Sequence, residues 1–444
     1  MTHSLGLVTT PREATGPRLG LMHLVRLRHA PITHSTWLRE NYGQVYRMRA
    51  FGIDMYVTSG PDAFEKVFVN RDKIFASGPA WSHFIGPFFH RGLMLLDFEE
   101  HLHHRRIMQH AFSNEALHRY HAIMVPHIRR FLAAWAEVEQ PLLQRMFKDL
   151  TLDLALETFV GVELDDAERR RINRAFIAAV RAGTAIVRKD LPGGIGPWSR
   201  GLAARRVLEE FFHAALPAKR RDGGDDLFGQ LCIARDDDGN AFSDADIVSH
   251  MIFLLLAAHD TTTTTMTSMA YQLARYQEWQ ERCRAESRAV EDPDYDVLRG
   301  LTSIDLVMKE SLRLCSPVPS IPRVATRETE IDGYRIPAGA LVTSSPYQNH
   351  FLEEIWPDPQ RFDPERFGPE RREDKVHRLA FEPFGAGVHK CIGMHFAGMQ
   401  VRAIFHELLL GYRWSVPEGY EMPIDLVALP FARDGLPVTL QALE

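Results

Sequence analysis

Apolar residues recur at helical spacing over most of this chain, and only a few short runs alternate as strands do. Residues 35–42 read as a short helix. Two β-rich runs, 45–50 and 53–58, flank Phe51-Gly52 and predict a hairpin. From 116 to 212 the pattern is mostly helical, broken at Gly161 and at Leu191-Pro192-Gly193-Gly194-Ile195-Gly196-Pro197. Ser243-x-x-Asp246 caps a helix predicted to continue to about 277, a length of about 50 Å. A further helix is predicted over 304–314. β-rich runs return from Ile321, with an Asp332-Gly333 turn and a break at Pro337-Ala338-Gly339, and Asp434-Gly435 marks a last hairpin. Near the end, Ala397, Val401, Ile404, Phe405 and Leu408 form a core-facing stripe that stops at Gly411. Residues 77–96, rich in Gly, Pro and aromatics, read as a long functional loop.

The expected fold is mainly α with a smaller β-rich part. Residues 1–30 are expected to be loosely attached. Residues 31–444 form a single domain, with β-rich parts at about 45–58, 321–345 and 427–441.

Composition narrows the function classes. The chain has 444 residues, 45% of them hydrophobic and 25% charged, as in a soluble globular protein with a large core. A net charge of −6 gives no reason to expect nucleic-acid binding. The four cysteines (Cys232, Cys283, Cys315, Cys391) have no framework spacing, which suits a reducing, cytoplasmic setting. No signal peptide and no apolar run long enough to span a bilayer is read, so no membrane anchor is expected.

One stretch concentrates the candidate chemistry. Phe384-Gly385-Ala386-Gly387-Val388-His389-Lys390-Cys391-Ile392-Gly393 places a cysteine at the mouth of a predicted helix, behind a turn with two glycines. Helix-end amides and the macrodipole stabilise a thiolate there. Glycines let the backbone approach the sulfur. With no Cys or His partner at zinc spacing, Cys391 makes a poor zinc site. It makes a good axial ligand for haem iron, where a thiolate promotes O–O cleavage. The segment resembles the haem-binding signature of the cytochrome P-450 family, F-G-x-G-x-H-x-C-x-G, at every fixed position.

The resemblance runs from about residue 97 to the end, with the family's motifs in order. Ala257-Ala258-His259-Asp260-Thr261 is similar to the oxygen-activation motif A/G-G-x-D/E-T. Asp260 and Thr261 match its acid–alcohol pair, and Ala258 stands where the family has Gly. Phe253, Ala257, Thr261 and Thr265 share one helical face. Asp97-x-x-Glu100 resembles a capping box opening a helix. On that helix His101 and Arg105 share a face and match residues that hold a haem propionate. Arg323 and His389 match the other propionate contacts, and Ala257, Phe384 and Gly393 are implied haem neighbours. His103, His104 and Arg106 read as a solvated basic face. Glu310-x-x-Arg313, with Arg366 of Pro364-Glu365-Arg366-Phe367, matches a buried charge triad behind the haem, expected to serve folding and haem retention.

Trp81, Phe84, Ile85, Phe88 and Phe89 either cover an apolar pocket, as the family's matching region does, or pack as ordinary core. Phe253, Ala257 and Val318 are further pocket candidates, and residues 427–431 match a loop that points into it.

The resemblance implies the cytochrome P-450 fold, with haem between the long central helix and the helix after Cys391. It implies a monooxygenase carrying heme b, with Cys391 on the metal, that inserts one atom of O2 into a bulky apolar substrate (terpenoid, steroid or fatty-acid-like). Electrons from NAD(P)H would arrive indirectly, through a ferredoxin or flavodoxin with its reductase, docking around Lys390, Arg105 and Arg106. Two alternatives remain: a peroxide-dependent haem-thiolate oxygenase or isomerase, and a haem protein that binds or senses without turnover. The acid–alcohol pair favours the monooxygenase.

Overall fold

A computed structural model describes residues 11–443 except 19, 51, 184, 186, 427 and 428. The helix Asp244–Arg275 runs through the middle of the molecule. Ser243 caps it: its Oγ accepts the Asp246 N–H at 3.2 Å and donates to the Asp246 carboxylate at 2.6 Å. Apart from a short central stretch the helix is buried along most of its length, so it must be surrounded. Helices Leu143–Ala155, Gly196–Asp222, Thr302–Leu314 and Met394–Gly411 pack against it. Thr263, Thr265 and Thr267 stay satisfied in this apolar setting because each hydroxyl donates to the carbonyl four residues back. The central helix ends at Arg275, and Gln277–Arg288 starts a new helix at once.

The β part forms a flank. Its strands are β1 (Val45–Ala50), β2 (Ile53–Thr58), β3 (Phe75–Ala76), β4 (Ile321–Ala325), β5 (Thr329–Ile331), β6 (Tyr334–Ile336) and β7 (Leu341–Ser344). Five of them make one sheet in the order β1-β2-β7-β4-β3, with β2 and β7 parallel. The β1–β2 hairpin forms as expected. So does β5–β6, whose turn residues Asp332 (φ 51) and Gly333 (φ 77) are both left-handed, as a two-residue hairpin prefers.

Four expectations need correction. Of the segment 1–30, residues 1–10 and 19 lie outside the described residues, and the rest is tied down rather than loose. Arg12 exchanges backbone hydrogen bonds with Gly333 and Arg335, and Arg47 N–H donates to Thr15 O. Helix Gly20–His29 sets buried His23 against His34 at 2.9 Å.

The region 77–96 is not a loop, because Gly78–Phe89 is helical. Its N-terminal amides are satisfied by Asp97, whose carboxylate accepts from Ser77 N–H (2.6 Å) and Gly78 N–H (2.9 Å). Ala80, Phe84 and Phe88 recur every fourth residue, and Pro79 is tolerated in the first turn.

That use of Asp97 removes the expected capping box. Helix Phe98–Met108 has no side-chain cap, and Glu100 pairs with Arg91 at 2.9 Å instead.

Finally, Asp434-Gly435 does not join a hairpin. β8 (Tyr412–Ser415) pairs with β11 (Thr439–Ala442), and β9 (Ile424–Asp425) pairs with β10 (Phe431–Ala432). The two strands beside that turn therefore have different partners. The pocket loop expected at 427–431 begins outside the described residues.

Candidate functional site

Midway along the central helix the burial pattern breaks. Leu256, Ala257, Ala258, Asp260 and Thr261 are half-exposed between fully buried neighbours, so the protein leaves this stretch of the helix incompletely covered. Cys391 is open in the same sense: its surface is exposed although its sulfur lies deep among protein atoms.

The loop that carries Cys391 is shaped by its backbone. Glu382 O accepts Gly385 N–H and Phe384 O accepts Cys391 N–H, both at 2.9 Å. Gly387 has φ 64, and a Cβ there would meet Phe68 O at 2.0 Å, so only glycine lets this turn lie against that carbonyl. Gly393 N–H donates to the sulfur, and Arg105 and Lys390 add positive potential, all favouring a thiolate. Burial nevertheless outweighs them and raises the thiol's pKa in the protein alone, so the donors expected from sequence are present but do not suffice without a cation. The other cysteines are core residues, pushed up by burial to about 11 (Cys232) and about 12 (Cys283, Cys315). Among the described residues, the one three-residue grouping of potential metal ligands is His127, Asp153 and Glu157, and Arg169 already bridges its two carboxylates at 2.8 and 2.6 Å.

Next to the cysteine loop lies a cluster rich in donors. The His101 and His389 rings stack with centroids 3.9 Å apart. Buried Arg323 donates to Pro322 O at 2.8 Å and lies over the Phe68 ring, 4.8 Å from its centroid. Among the described residues, Asp97 is the one carboxylate paired with this cluster, 3.8 Å from His389 Nε2, and it is already engaged by two amides. His101 Nδ1 is buried without a partner. Burial, then nearby guanidiniums, lowers His101 to about 4 and His389 to about 2. Burial also lowers Arg323 to about 10. A set of buried donors short of acceptors fits a guest carrying carboxylates. The lone open cysteine, the glycine-lined turn and these donors together fit haem with its two propionates.

On the central helix, Thr261 Oγ1 donates to Ala257 O at 2.6 Å, and the helix runs through Ala258 without a break. Asp260 turns elsewhere: Lys148 Nζ, on Leu143–Ala155, lies 2.9 Å from its Oδ1, and His259 Nδ1 lies at 3.6 Å. Buried His259 has no hydrogen-bond partner on either ring nitrogen, and burial lowers it to about 4. Lys148 and His259 were missed at the sequence level. His259 sits in the motif without a distinguishing pattern, and Lys148 is a lone lysine more than a hundred residues away.

Glu310, Arg313 and Arg366 do meet. Arg313 forks onto Glu310 at 2.7 and 2.8 Å, and Arg366 Nε lies 3.5 Å from the same carboxylate, with all three side chains no more than 1% exposed.

The pocket candidates divide. Phe88 and Phe89 are buried in the main core, Phe88 edge-on to Trp198. Trp81, Phe84, Ile85 and Val318 are half-buried. Phe253 packs on Gly92 so tightly that a Cβ there would overlap its ring. The expected basic face also divides. Lys390, His103 and Arg106 are exposed and Arg105 is half-buried. His104 is buried, hydrogen-bonded to His250 at 2.8 Å, because that face of its helix packs on the central helix. Among the described residues, no helix is long and apolar enough to cross a membrane.

Comparison with known proteins gives a consistent picture. The family model described as Cytochrome P450 matches residues 11–429. The protein named cytochrome P450 136 of Mycobacterium tuberculosis is 44% identical over 443 residues, covering 98% of this chain and 89% of the relative. The sterol 14alpha-demethylase of Mycolicibacterium vanbaalenii is 28% identical, with 93% of each chain covered. Among solved structures, the retinoic-acid-bound cyanobacterial CYP120A1 superposes with a TM-score of 0.85, 23% identity and 98% and 99% coverage.

Proposed function

The chain belongs to the cytochrome P450 family of haem monooxygenases, and from that premise we propose how its own site works. Cys391 ligates the iron of heme b, and the enzyme inserts one atom of O2 into a bulky apolar substrate of terpenoid, steroid or fatty-acid type. The observation that carries the proposal is the meeting of one open cysteine, fed by the Gly393 N–H and Arg105, with a buried donor cluster short of acceptors. Bound haem supplies O2 activation and oxygen-atom transfer.

The chain's residues do the rest. His101, Arg105, Arg323 and His389 hold the propionates by charge-assisted hydrogen bonds, which consume the unpaired donors. Phe384, Ala257 and Gly393 border the porphyrin. The Asp260 carboxylate, paired with the half-exposed Lys148, takes up protons from the solvent side. Relayed through water, they pass the Thr261 hydroxyl, whose own proton is held by Ala257 O. Half-buried Trp81, Phe84, Ile85 and Val318, with Phe253 and Ala257, offer the apolar contacts that exclude water and orient substrate. A relative named for sterol demethylation supports a polycyclic or terpenoid substrate. Electrons come from NAD(P)H through a separate ferredoxin or flavodoxin and its reductase, docking on the face with exposed Lys390 and Arg106.

Purified protein, a surrogate ferredoxin with reductase, and a small-molecule library screened by spectral shift test this reading. Substrate-dependent NADPH use with oxygenated product is expected. Product formed only with added peroxide points to the peroxide-dependent alternative, and no product by either route to a haem-binding protein without turnover.

A further inference from the structure

The root of the cysteine loop contains a buried carboxyl that the reaction above does not use. Glu382 is 2% exposed. Its Oε1 accepts from Asn349 Nδ2 at 2.9 Å, and Asn349 Oδ1 in turn accepts Gly60 N–H at 2.8 Å. Its Oε2 has no hydrogen-bond partner, and His350 Nε2 lies 3.9 Å away. The Glu382 N–H donates to that same nitrogen at 3.3 Å, so the ring's proton sits on Nδ1. The Glu382 carbonyl receives Gly385 N–H, and the next carbonyl but one, that of Phe384, receives Cys391 N–H. On the other side, the His350 carbonyl accepts from Arg313 at 2.8 Å. Glu382 is thus the joint between the buried Glu310–Arg313–Arg366 network and the turn that presents the sulfur.

No cation compensates a charge at this joint. Among the described residues, His350 is the one ion-pairing neighbour within 4 Å, and burial and then Arg313 hold its ring neutral, at about 3. Arg313 reaches the cluster through the His350 carbonyl and by lying over the Trp356 ring, 5.3 Å from its centroid. The charged neighbours on Glu382's own segment face outward, Arg378 onto Glu65 and His377 towards Asp62. Trp356, edge-on, and Phe381, tilted, pack around the His350 ring and keep the surroundings apolar. Burial accordingly pushes the Glu382 carboxyl up to about 8, with the Asn349 hydrogen bond opposing it.

We propose that Glu382 is a positioning residue that works as the neutral acid. It fastens the root of the cysteine loop to Asn349 and His350, and loss of its proton loosens the loop's hold on the metal-binding sulfur. An ionised carboxylate here leaves Oε2 charged and without a partner, so it has to draw in water, and that movement acts directly on the Gly385 and Cys391 turn bonds. The second half of the proposal rests on Cys391 as the iron ligand.

The test compares the haem-loaded full chain with its Glu382→Gln variant, which mimics the protonated acid, from about pH 6.5 to about 9.5. A group that keeps its proton in the folded state and loses it in the unfolded one lowers the folded-to-unfolded ratio about tenfold per pH unit between its two pKa values. Relative to Glu382→Gln, the wild type should therefore lose about tenfold in that ratio for each unit up to about pH 8 and level off beyond, read from urea midpoints. As pH rises through about 8 the red-shifted Soret band of its ferrous carbonyl complex should fade, while the variant's band persists. Parallel pH dependence in the two proteins overturns the proposal. A third readout needs no variant: the infrared stretch of a buried, protonated carboxyl should be present in wild type at pH 7 and lost above about pH 8. Its absence at pH 7 also overturns the proposal. A protein that takes up no haem overturns the ligand reading, while the urea midpoints still decide the clamp.

Discussion

Truncating Glu310 to alanine removes the acceptor at the centre of the charge network behind the cysteine loop. Glu310 takes two hydrogen bonds from Arg313 and one from the Asp363 N–H at 2.9 Å, and it lies 3.5 Å from Arg366 Nε. Without it, Arg313 keeps the carbonyls of His350, Pro359 and Arg361. Arg366 keeps those of Pro357 and Asp358 together with Glu373. Two buried guanidiniums would then face one another with no carboxylate between them.

Removing one partner of a buried ion network costs ~3–5 kcal/mol. Burial raises the Glu310 carboxyl above its ordinary range despite both arginines, so desolvation already offsets much of the attraction. The lower end, about 3 kcal/mol, is therefore expected. With an unfolding entropy of about 2.1 cal/mol/K per residue, the 444-residue chain unfolds with roughly 0.9 kcal/mol/K, so Tm should fall about 3 °C. Urea denaturation and thermal melting of Glu310→Ala measure this. Lys309→Ala, which breaks only the more exposed pair with Asp305, serves as the control and should cost under about 1 kcal/mol. If Glu310→Ala is no more damaging than Lys309→Ala, the buried-network argument fails.

Two further outcomes are expected. Thr261→Ala should lower product formation about 10²-fold while NADPH consumption continues and peroxide release rises, and Lys148→Ala should move coupling the same way by loosening Asp260; unchanged coupling in both variants would remove this route for protons. Stability should also decline in acid. His250 and His350 are held neutral by burial down to about 3, and His259 and His406 down to about 4, well below the ordinary 6.5. The unfolded chain therefore binds more protons than the native one in that window, and the stabilisation present above about pH 6.5 drains away as pH falls towards about 4. Urea midpoints across that range should drop, and a flat or rising profile would refute the assignment.

Features set by near neighbours were legible in the chain. The Ser243 cap, the β5–β6 turn at Asp332-Gly333, the Glu310-x-x-Arg313 fork and the helix after Cys391 all follow from residues within a few positions of each other. The spacing of the cysteine segment carried the family as well. Features set by distant partners were hidden. Asp97 looks like the cap of the helix that follows it, yet its carboxylate serves the helix before, because the amides of Ser77 and Gly78 lie closer. His104 looks like part of a solvated basic run until the central helix brings His250 to it. The cap that Asp97 provides also explains how a Gly- and Pro-rich stretch becomes the helix Gly78–Phe89. Strand exchange at the C-terminus, where β10 and β11 pair with β9 and β8, leaves no local signal either.

The most direct test of the central claim is the Soret spectrum of the reduced carbon monoxide complex, recorded for hemin-loaded wild type and for Cys391→Ala. The account predicts the red-shifted band of a thiolate-ligated haem in the wild type and its loss in the variant. Protein that stays colourless with hemin, a wild-type band typical of imidazole ligation, or a red-shifted band that survives in Cys391→Ala would contradict it.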